Sequence, residues 1–233
     1  ALPLYANRTK LVTASAAGGG VGSEGDPWTL DEAMTNAVAG DVVGVQAGVY
    51  VGTDPGVSAG NYRFTPAYRP TNSGTSGNPI VFVAQNQASK VGTGYSDIRS
   101  GSSVAGSGWP AFGALTRNYI EWVGMYTDEA QTNNKGVADS GPCTMWTQTG
   151  SKVLGCKIRG IAAPFTDNHS GIRIENFFDG FITDNDISGF NDQLAGGGTN
   201  QTGLTSYATT GTTFEYNLFD NNGDNLYLKS LTS

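Results

Sequence analysis

Charged side chains and histidine are both scarce in this sequence. Only 14% of its 233 residues are charged, so an architecture of helices held together by ion pairs is not expected. Histidine occurs once, at His169, which excludes a cluster of histidine metal ligands. Neither a Ser-His-Asp order nor a phosphate-binding loop is present. No apolar run is long enough to span a bilayer, so no membrane insertion is expected.

The balance of charge and the two cysteines set further limits. The formal net charge is −7, and the acidic residues are spread along the chain, so nucleic acid is not an expected partner. Cys143 and Cys156 are too few for a disulfide framework. Two interpretations of this pair stay open: a single disulfide, or two small buried apolar side chains.

Glycine, in contrast, is abundant, with 34 residues, and many Asn, Ser and Thr residues accompany it. Such a composition favours many short strands joined by turns. Apolar residues make up 38% of the chain and aromatic residues 10%, which is enough to form a core. We therefore expect one all-β domain over residues 1–233.

One helix is predicted near the N-terminus, over residues 30–37. Its apolar face contains Leu30, Ala33, Met34 and Ala37. Thr29 precedes it as an N-cap, and strands are predicted directly after it, within residues 42–51. A short amphipathic helix in this position can cover the open end of a solenoid. Residues 1–40 are thus expected to form an N-terminal strand and capping helix, and residues 41–233 the coils.

The sequence after residue 140 repeats with a loose period. Four short strands of similar pattern begin at Cys143, Ile172, Leu204 and Leu226. A second series begins at Cys156, Asn185 and Asn217. The distances in residues between its successive members equal the first two such distances in the first series. Two series that share their steps indicate the stacked coils of a solenoid.

Alternation along these strands assigns each residue to the inside or the outside of the coils. The positions expected to point inward are Cys143, Met145, Ile172, Ile174, Leu204, Ser206, Leu226 and Leu228. The outward positions form a first column, Thr144, Arg173, Thr205 and Tyr227, and a second column, Trp146, Glu175, Tyr207 and Lys229. In the other series, Asn185 and Asn217 are expected to stack at a bend and to hydrogen-bond each other and the backbone.

Several segments of the chain resemble a known family. Residues 20–30, followed by Ala39-Gly40-Asp41 and Gly48-Val49-Tyr50, look like the entry motif of the pectate-lyase-like β-helix superfamily. Residues 73–82 are similar to the motif that follows it there. Residues 119–124, together with the Asn-x-apolar turns, extend the resemblance over nearly the whole chain. It implies a right-handed, single-stranded parallel β-helix with a short capping helix. The superfamily includes lyases, hydrolases, epimerases, phage tailspikes and adhesins, so the fold alone does not assign a chemistry.

The two outward columns are expected to form the floor of a groove. The polar loops expected to wall it are residues 127–141, 160–170 and 189–203. Trp146, Tyr207 and Tyr227 offer flat faces on which sugar rings stack. Arg173 and Lys229 can hold the carboxylates or sulfates of a glycan, and Glu175 lies beside them. The alternative is a solvated β-face without a ligand.

The resemblance also implies what a lyase on this fold requires. Family lyases neutralise a uronate with calcium held by clustered Asp residues, and remove a proton with Lys or Arg. Asp184 and Asp186 are the nominated calcium ligands, and Lys229 and Arg173 the nominated bases. Calcium prefers six to eight oxygens, whereas this sequence contains no Asp-Asp pair.

Hydrolases on this fold use carboxylates on neighbouring coils as acid and base. Asp192 and Asp224, at the ends of consecutive coils, form the best such pair. Both also occur in turns rich in Asn and Gly, where Asp is common for conformational reasons.

Two functions therefore stay open. The lack of an Asp cluster favours an extracellular or virion-associated β-helix that binds glycans and serves a structural or adhesive role. The alternative is a calcium-dependent polysaccharide lyase or a glycoside hydrolase. The last coil, from Leu226 onward, has no evident cap. A partner chain in an assembly, such as a homo-oligomer, or further coils are expected to cover it.

Overall fold

The structure is a computed structural model that describes residues 3–53, 65–86, 94–100, 109–129, 141–161, 169–191 and 201–229. Its helices are α1 (Pro3–Ala6) and α2 (Leu30–Asn36). Sheet A contains β1 (Lys10–Val12), β2 (Val42–Val45), β4 (Ile80–Ala84), β7 (Ile120–Val123), β10 (Lys152–Leu154), β13 (Phe181–Thr183) and β16 (Thr213–Glu215). Sheet B contains β3 (Gly48–Gly52), β5 (Ser96–Ser100), β8 (Tyr126–Asp128), β11 (Lys157–Arg159), β14 (Asp186–Ser188) and β17 (Leu218–Asp220). Sheet C contains β6 (Phe112–Leu115), β9 (Cys143–Thr149), β12 (His169–Phe178), β15 (Gln201–Tyr207) and β18 (Asp224–Lys229).

From β4 onward the chain visits the three sheets in a fixed order, A, then B, then C, and repeats this circuit to β18. Each strand pairs in parallel with the strand of the same sheet one circuit later, as β7, β10 and β13 do. The fold is therefore a parallel β-solenoid, and the expected all-β class with parallel coils is confirmed. Neither helix of the described chain has the length or apolar character needed to cross a bilayer.

The strand registers follow the repeat found in the sequence. In sheet C, Cys143 pairs with Ile172, Ile172 with Leu204, and Leu204 with Leu226. In sheet B, Lys157 pairs with Asp186 and Asp186 with Leu218, so the steps of this sheet equal the first two steps of sheet C. Both predicted series are confirmed.

The core fills the space between the three sheets with the inward residues. At its centre, Trp122 stacks on Phe82 with ring centroids 4.6 Å apart and lies 5.1 Å from the Phe112 ring. The inward residues of β9, β12 and β15 are fully buried, as predicted. Leu226 and Leu228, in contrast, are each 41% exposed, because β18 is the outermost strand of sheet C among the residues that the structure describes. The expected covering partner stays a prediction.

Asn185 and Asn217 stack at the bend between sheets A and B, as predicted. The Asn185 Nδ2 donates to Asn217 Oδ1 at 2.9 Å and to the Val153 carbonyl at 3.0 Å. Its Oδ1 accepts the backbone N–H of Cys156 at 2.9 Å. One coil further on, Asn217 Nδ2 donates to the Ile182 carbonyl at 2.8 Å. These bonds satisfy backbone groups that the bend removes from the strand ladders.

The helix predicted near the N-terminus is also confirmed. Helix α2 begins after Thr29, whose side chain accepts the Glu32 N–H while the Glu32 side chain accepts the Thr29 N–H, which completes a capping box. The four residues of its predicted apolar face are buried. Helix α1 was not predicted from the sequence. Its Tyr5 lies against Gly44, where a β-carbon would come within 2.5 Å of the Arg8 side chain and 3.0 Å of the Tyr5 ring, and Tyr5 covers part of the outer face of sheet A.

Both thiols are free and fully buried, so the second interpretation of the cysteine pair describes the structure. Burial raises the pKa of the Cys143 thiol well above its usual value. Burial likewise raises the pKa of Cys156 to about 12.

The connections between strands differ in length from corner to corner of the solenoid. Only Gly155 and Cys156 separate β10 from β11, on the path from sheet A to sheet B, and only Asp184 and Asn185 separate β13 from β14. From sheet B to sheet C the chain is longer, with residues 129–142 between β8 and β9 and residues 189–200 between β14 and β15. The predicted polar loops belong to this B-to-C corner, and most of their residues lie outside the described ranges.

Candidate functional site

The outer face of sheet C carries the two predicted columns in the predicted alignment. Arg173 pairs with Thr144 and Thr205, and Thr205 pairs with Tyr227. The second column follows two residues later, where Glu175 lies between Trp146 and Tyr207, and Lys229 lies beyond Tyr207. Strand spacing places neighbours in a column about 4.8 Å apart.

The two columns differ in their access to solvent. In the first column, Thr144, Arg173 and Thr205 are all buried. In the second, Trp146, Glu175 and Tyr207 are half-buried and Lys229 is exposed. The floor of the expected groove therefore reduces to one accessible column, together with Tyr227 at its end.

Arg173 links the two columns. Its guanidinium is paired with the Glu175 carboxylate at 3.2 Å and lies 4.9 Å from the centroid of the Tyr207 ring. Its side chain is only 6% exposed. The Arg173 guanidinium is thus neutralised by Glu175 and stacked on an aromatic face. This residue therefore supports the side chains of the second column and has little contact with solvent.

Two further side chains complete the accessible cluster around Tyr207. The Tyr227 ring approaches the Tyr207 ring edge-on, with centroids 6.3 Å apart. Lys229 Nζ lies 5.8 Å from the same Tyr207 centroid. We call Trp146, Glu175, Tyr207, Tyr227 and Lys229 the sheet C strip. It combines flat apolar rings with one carboxylate and one exposed ammonium group.

A layer of buried polar side chains lies near the N-terminal ends of β12 and β15. The hydroxyl of Ser170 donates to Thr205 at 2.7 Å, and the Thr202 hydroxyl donates to Ser170 at 3.0 Å. Beside them, His169 Nε2 lies 2.7 Å from Glu129 Oε2, and both side chains are almost completely inaccessible. The lone histidine, for which the sequence indicated no role, is therefore half of a buried pair.

The nominated carboxylates lie apart from the strip. Asp224 begins β18, three positions before Tyr227 and five before Lys229, which places it about 10 Å and about 17 Å from them along an extended strand. Asp184 lies at the exposed turn between β13 and β14, with a φ of 58°. Asp186 belongs to sheet B, where both its oxygens are bonded to Arg159, at 2.8 and 2.6 Å. Asp192 lies outside the described residues.

A calcium site gains no support from this arrangement. Asp184 and Asp186 are away from the sheet C strip, and the Arg159 guanidinium already occupies the Asp186 carboxylate. Within the described part of the chain, no three His, Cys, Asp or Glu residues are grouped so that they could hold a metal ion. The calcium ligands nominated from the sequence stay a prediction.

A second concave surface, which the sequence did not indicate, lies on the outer face of sheet A. It has a cavity volume of 420 Å³. Its charged and aromatic lining residues are Tyr119, Glu121, Lys152, Asp179 and Phe181. The sequence feature that could have indicated this groove is the alignment of Glu121, Lys152 and Phe181 at outward positions of successive sheet A strands.

Comparison of the chain with protein-family models, with curated proteins and with solved structures gave no match. The function must therefore be argued from the geometry of the chain itself.

Proposed function

We propose that this protein is an extracellular or virion-associated right-handed parallel β-helix, of the pectate-lyase-like kind, that binds glycans on the sheet C strip. The observation that carries the proposal is the in-register column of Trp146, Glu175, Tyr207 and Lys229, which is accessible to solvent while the adjoining column is buried. A solvent-accessible line of aromatic and charged side chains beside buried neighbours is typical of a binding surface.

The spacing of the rings suits an extended sugar chain. Trp146 and Tyr207 are two strands apart in one column, so their rings are separated by about 10 Å. This separation is comparable to the length of a disaccharide unit. A polysaccharide that runs across the strands, parallel to the solenoid axis, can thus stack one sugar face on Trp146 and another on Tyr207.

The charges of the strip favour a glycan that contains uronic acid. Arg173 is neutralised by Glu175, so Lys229 supplies the exposed positive charge at one end of the column. A carboxylate bound by Lys229 would leave its sugar ring against Tyr207, since the two side chains are adjacent. Glu175 can accept hydrogen bonds from sugar hydroxyl groups in the middle of the strip.

The test is calorimetric titration of the full chain with a panel of polyuronate and neutral oligosaccharides. Tyr207→Ala should weaken polyuronate binding by at least about fivefold, because a stacked ring contributes roughly 1 kcal/mol beyond its buried area. Lys229→Gln should weaken polyuronates and spare any neutral ligand. Tyr216→Ala is the matched control, since Tyr216 is 79% exposed and lies outside the strip.

Two outcomes would contradict the proposal. One is the absence of saturable polyuronate binding by the wild-type chain. The other is an equal loss of affinity in Tyr207→Ala and Tyr216→Ala. In the same samples, with calcium added, the absorbance of unsaturated product reports lyase activity. Product that Lys229→Ala abolishes would make the protein a polysaccharide lyase instead of a binding protein.

A further inference from the structure

The groove on the outer face of sheet A is built from three successive coils. Its floor consists of Glu121 on β7, Lys152 on β10 and Phe181 on β13, and Lys152 pairs directly with both of the others. Three neighbouring strands span about 10 Å between the outer two residues. All the residues that line this groove belong to the described part of the chain.

The floor is held in a defined arrangement. Lys152 Nζ lies 2.7 Å from Glu121 Oε1 and 5.7 Å from the centroid of the Phe181 ring. The ammonium group is thus fixed between a carboxylate and an aromatic face. The Glu121 side chain is 10% exposed and that of Lys152 is 33% exposed. Phe181 is 40% exposed, so its ring offers apolar surface at the end of an ordered polar row.

The wall of the groove comes from the turns that precede these strands and the neighbouring strand β4. Tyr119 lies at the end that adjoins β7, and its ring occupies the space that a β-carbon on Gly150 would fill. Glycine at position 150 therefore lets the aromatic ring lie close to the backbone. A tight turn, closed by reciprocal backbone hydrogen bonds of 3.0 Å between Thr75 and Asn78, adjoins Tyr119, because Ile80 N–H donates to the Tyr119 carbonyl at 3.0 Å.

The charges of the groove restrict the ligand that it suits. Glu121 and Lys152 neutralise each other, and Asp179 adds one negative charge at the rim. An anionic sugar would be repelled by Asp179 and would find the Lys152 ammonium already paired. A neutral sugar avoids both costs, since its C–H face can lie on Phe181 and its hydroxyl groups can bond to the fixed carboxylate and ammonium groups.

We propose that this groove binds a neutral hexose unit of a polysaccharide. Its volume of 420 Å³ lies within the range of small-molecule sites. The site is separate from the sheet C strip, because sheets A and C form different sides of the solenoid. It does not depend on glycan binding at the strip. If both sites bind, the protein engages a neutral sugar and a uronate on two different faces.

The test is titration of the full chain with neutral oligosaccharides of glucose, mannose and galactose, followed by calorimetry and by saturation-transfer NMR. Phe181→Ala should weaken the bound neutral sugar about tenfold. Phe178→Ala is the matched control, since Phe178 is 37% exposed and does not line the groove. Ser76→Trp, in the exposed turn at the rim, should block the groove without touching the core. Melting curves confirm that each variant is folded.

Tyr207→Ala separates this site from the sheet C strip. It should leave the affinity for the neutral sugar unchanged. Three results would overturn the proposal. The first is the lack of saturable binding by every neutral oligosaccharide at millimolar concentration. The second is an equal effect of Phe181→Ala and Phe178→Ala. The third is unchanged binding in Ser76→Trp, a variant that keeps the test decisive even if Phe181→Ala does not fold.

Discussion

The stack of asparagines at the A-to-B bend leads to a quantitative prediction for stability. Asn185 is 1% exposed, and its side chain makes three hydrogen bonds, to the N–H of Cys156, the carbonyl of Val153 and the side chain of Asn217. At roughly 1 kcal/mol for each bond, Asn185→Ala should lower the free energy of unfolding by about 3 kcal/mol. In this variant the backbone N–H of Cys156 has lost its acceptor, and this adds to the loss because water cannot reach the group.

The same reasoning predicts a graded series. Asn217 is half-buried in the last described coil, so water can replace some of the hydrogen bonds of its side chain. Asn217→Ala should therefore lower the free energy of unfolding by only about 1 kcal/mol. Asn191, whose Nδ2 donates to Asn221 at the exposed surface, is the matched control, and Asn191→Ala should change stability by less than about 0.5 kcal/mol.

Urea unfolding, followed by circular dichroism, measures these differences. The dependence of the unfolding free energy on urea concentration should stay constant across the series if only stability changes. A loss of less than about 1 kcal/mol in Asn185→Ala, or equal losses at Asn185 and Asn217, would refute the view that the buried asparagine supplies backbone bonds.

Two further predictions concern buried ionisable groups. His169→Ala should lower the unfolding free energy by about 3–5 kcal/mol, because it removes the imidazole that is paired with the buried Glu129 carboxyl group. If the double variant with Glu129→Ala loses less stability than the sum of the two single losses, the pairing is supported. Additive losses would contradict it. Cys143 and Cys156 should not react with a disulfide reagent at pH 8 until urea unfolds the chain. Because the folded pKa of Cys156 is raised to about 12 from an ordinary value of 9.0, the folded state retains a proton that the unfolded state loses, so stability should fall as pH rises from 9 to 12. Cys156→Ala should reduce that slope in pH-dependent urea titrations.

The alignment of the sheet C strip was predictable because parallel strands in a stack preserve side-chain parity. Once two series of strands shared the same steps, the pairing of Glu175 with Trp146 and Tyr207 followed. The bend asparagines were predictable for the same reason. Amide side chains at equivalent positions of successive coils can bond both to each other and to the backbone.

Exposure of the columns was not predictable. Alternation assigns a side chain to the inner or outer side of a strand, but it does not report what covers the outer side. Arg173 was expected on the floor of an open groove, whereas it is buried beneath Tyr207 and paired with Glu175. The buried pair of His169 and Glu129 joins residues 40 positions apart, and no spacing rule connects them.

The groove on sheet A was missed for a related reason. Tyr119 and Glu121 belong to the segment that resembles a family motif, and this segment precedes the repeat that the sequence shows after residue 140. The groove arises only when Glu121, Lys152 and Phe181 stack in register, and when Gly150 allows the Tyr119 ring to lie close. Such a surface is a property of three coils together.

The unequal corners of the solenoid have a consequence for how such a protein can change. The circuit from Leu204 to Leu226 is the shortest of those that join paired strands of sheet C after β9, and only Asn221, Asn222 and Gly223 separate β17 from β18. The longer circuits have most of their additional residues at the B-to-C corner. Insertions there leave the ladders of all three sheets in register, because the paired residues stay the same. Evolution, or a protein engineer, can therefore use this corner as a grafting position, where new recognition segments are added one coil at a time beside the existing sheet C face.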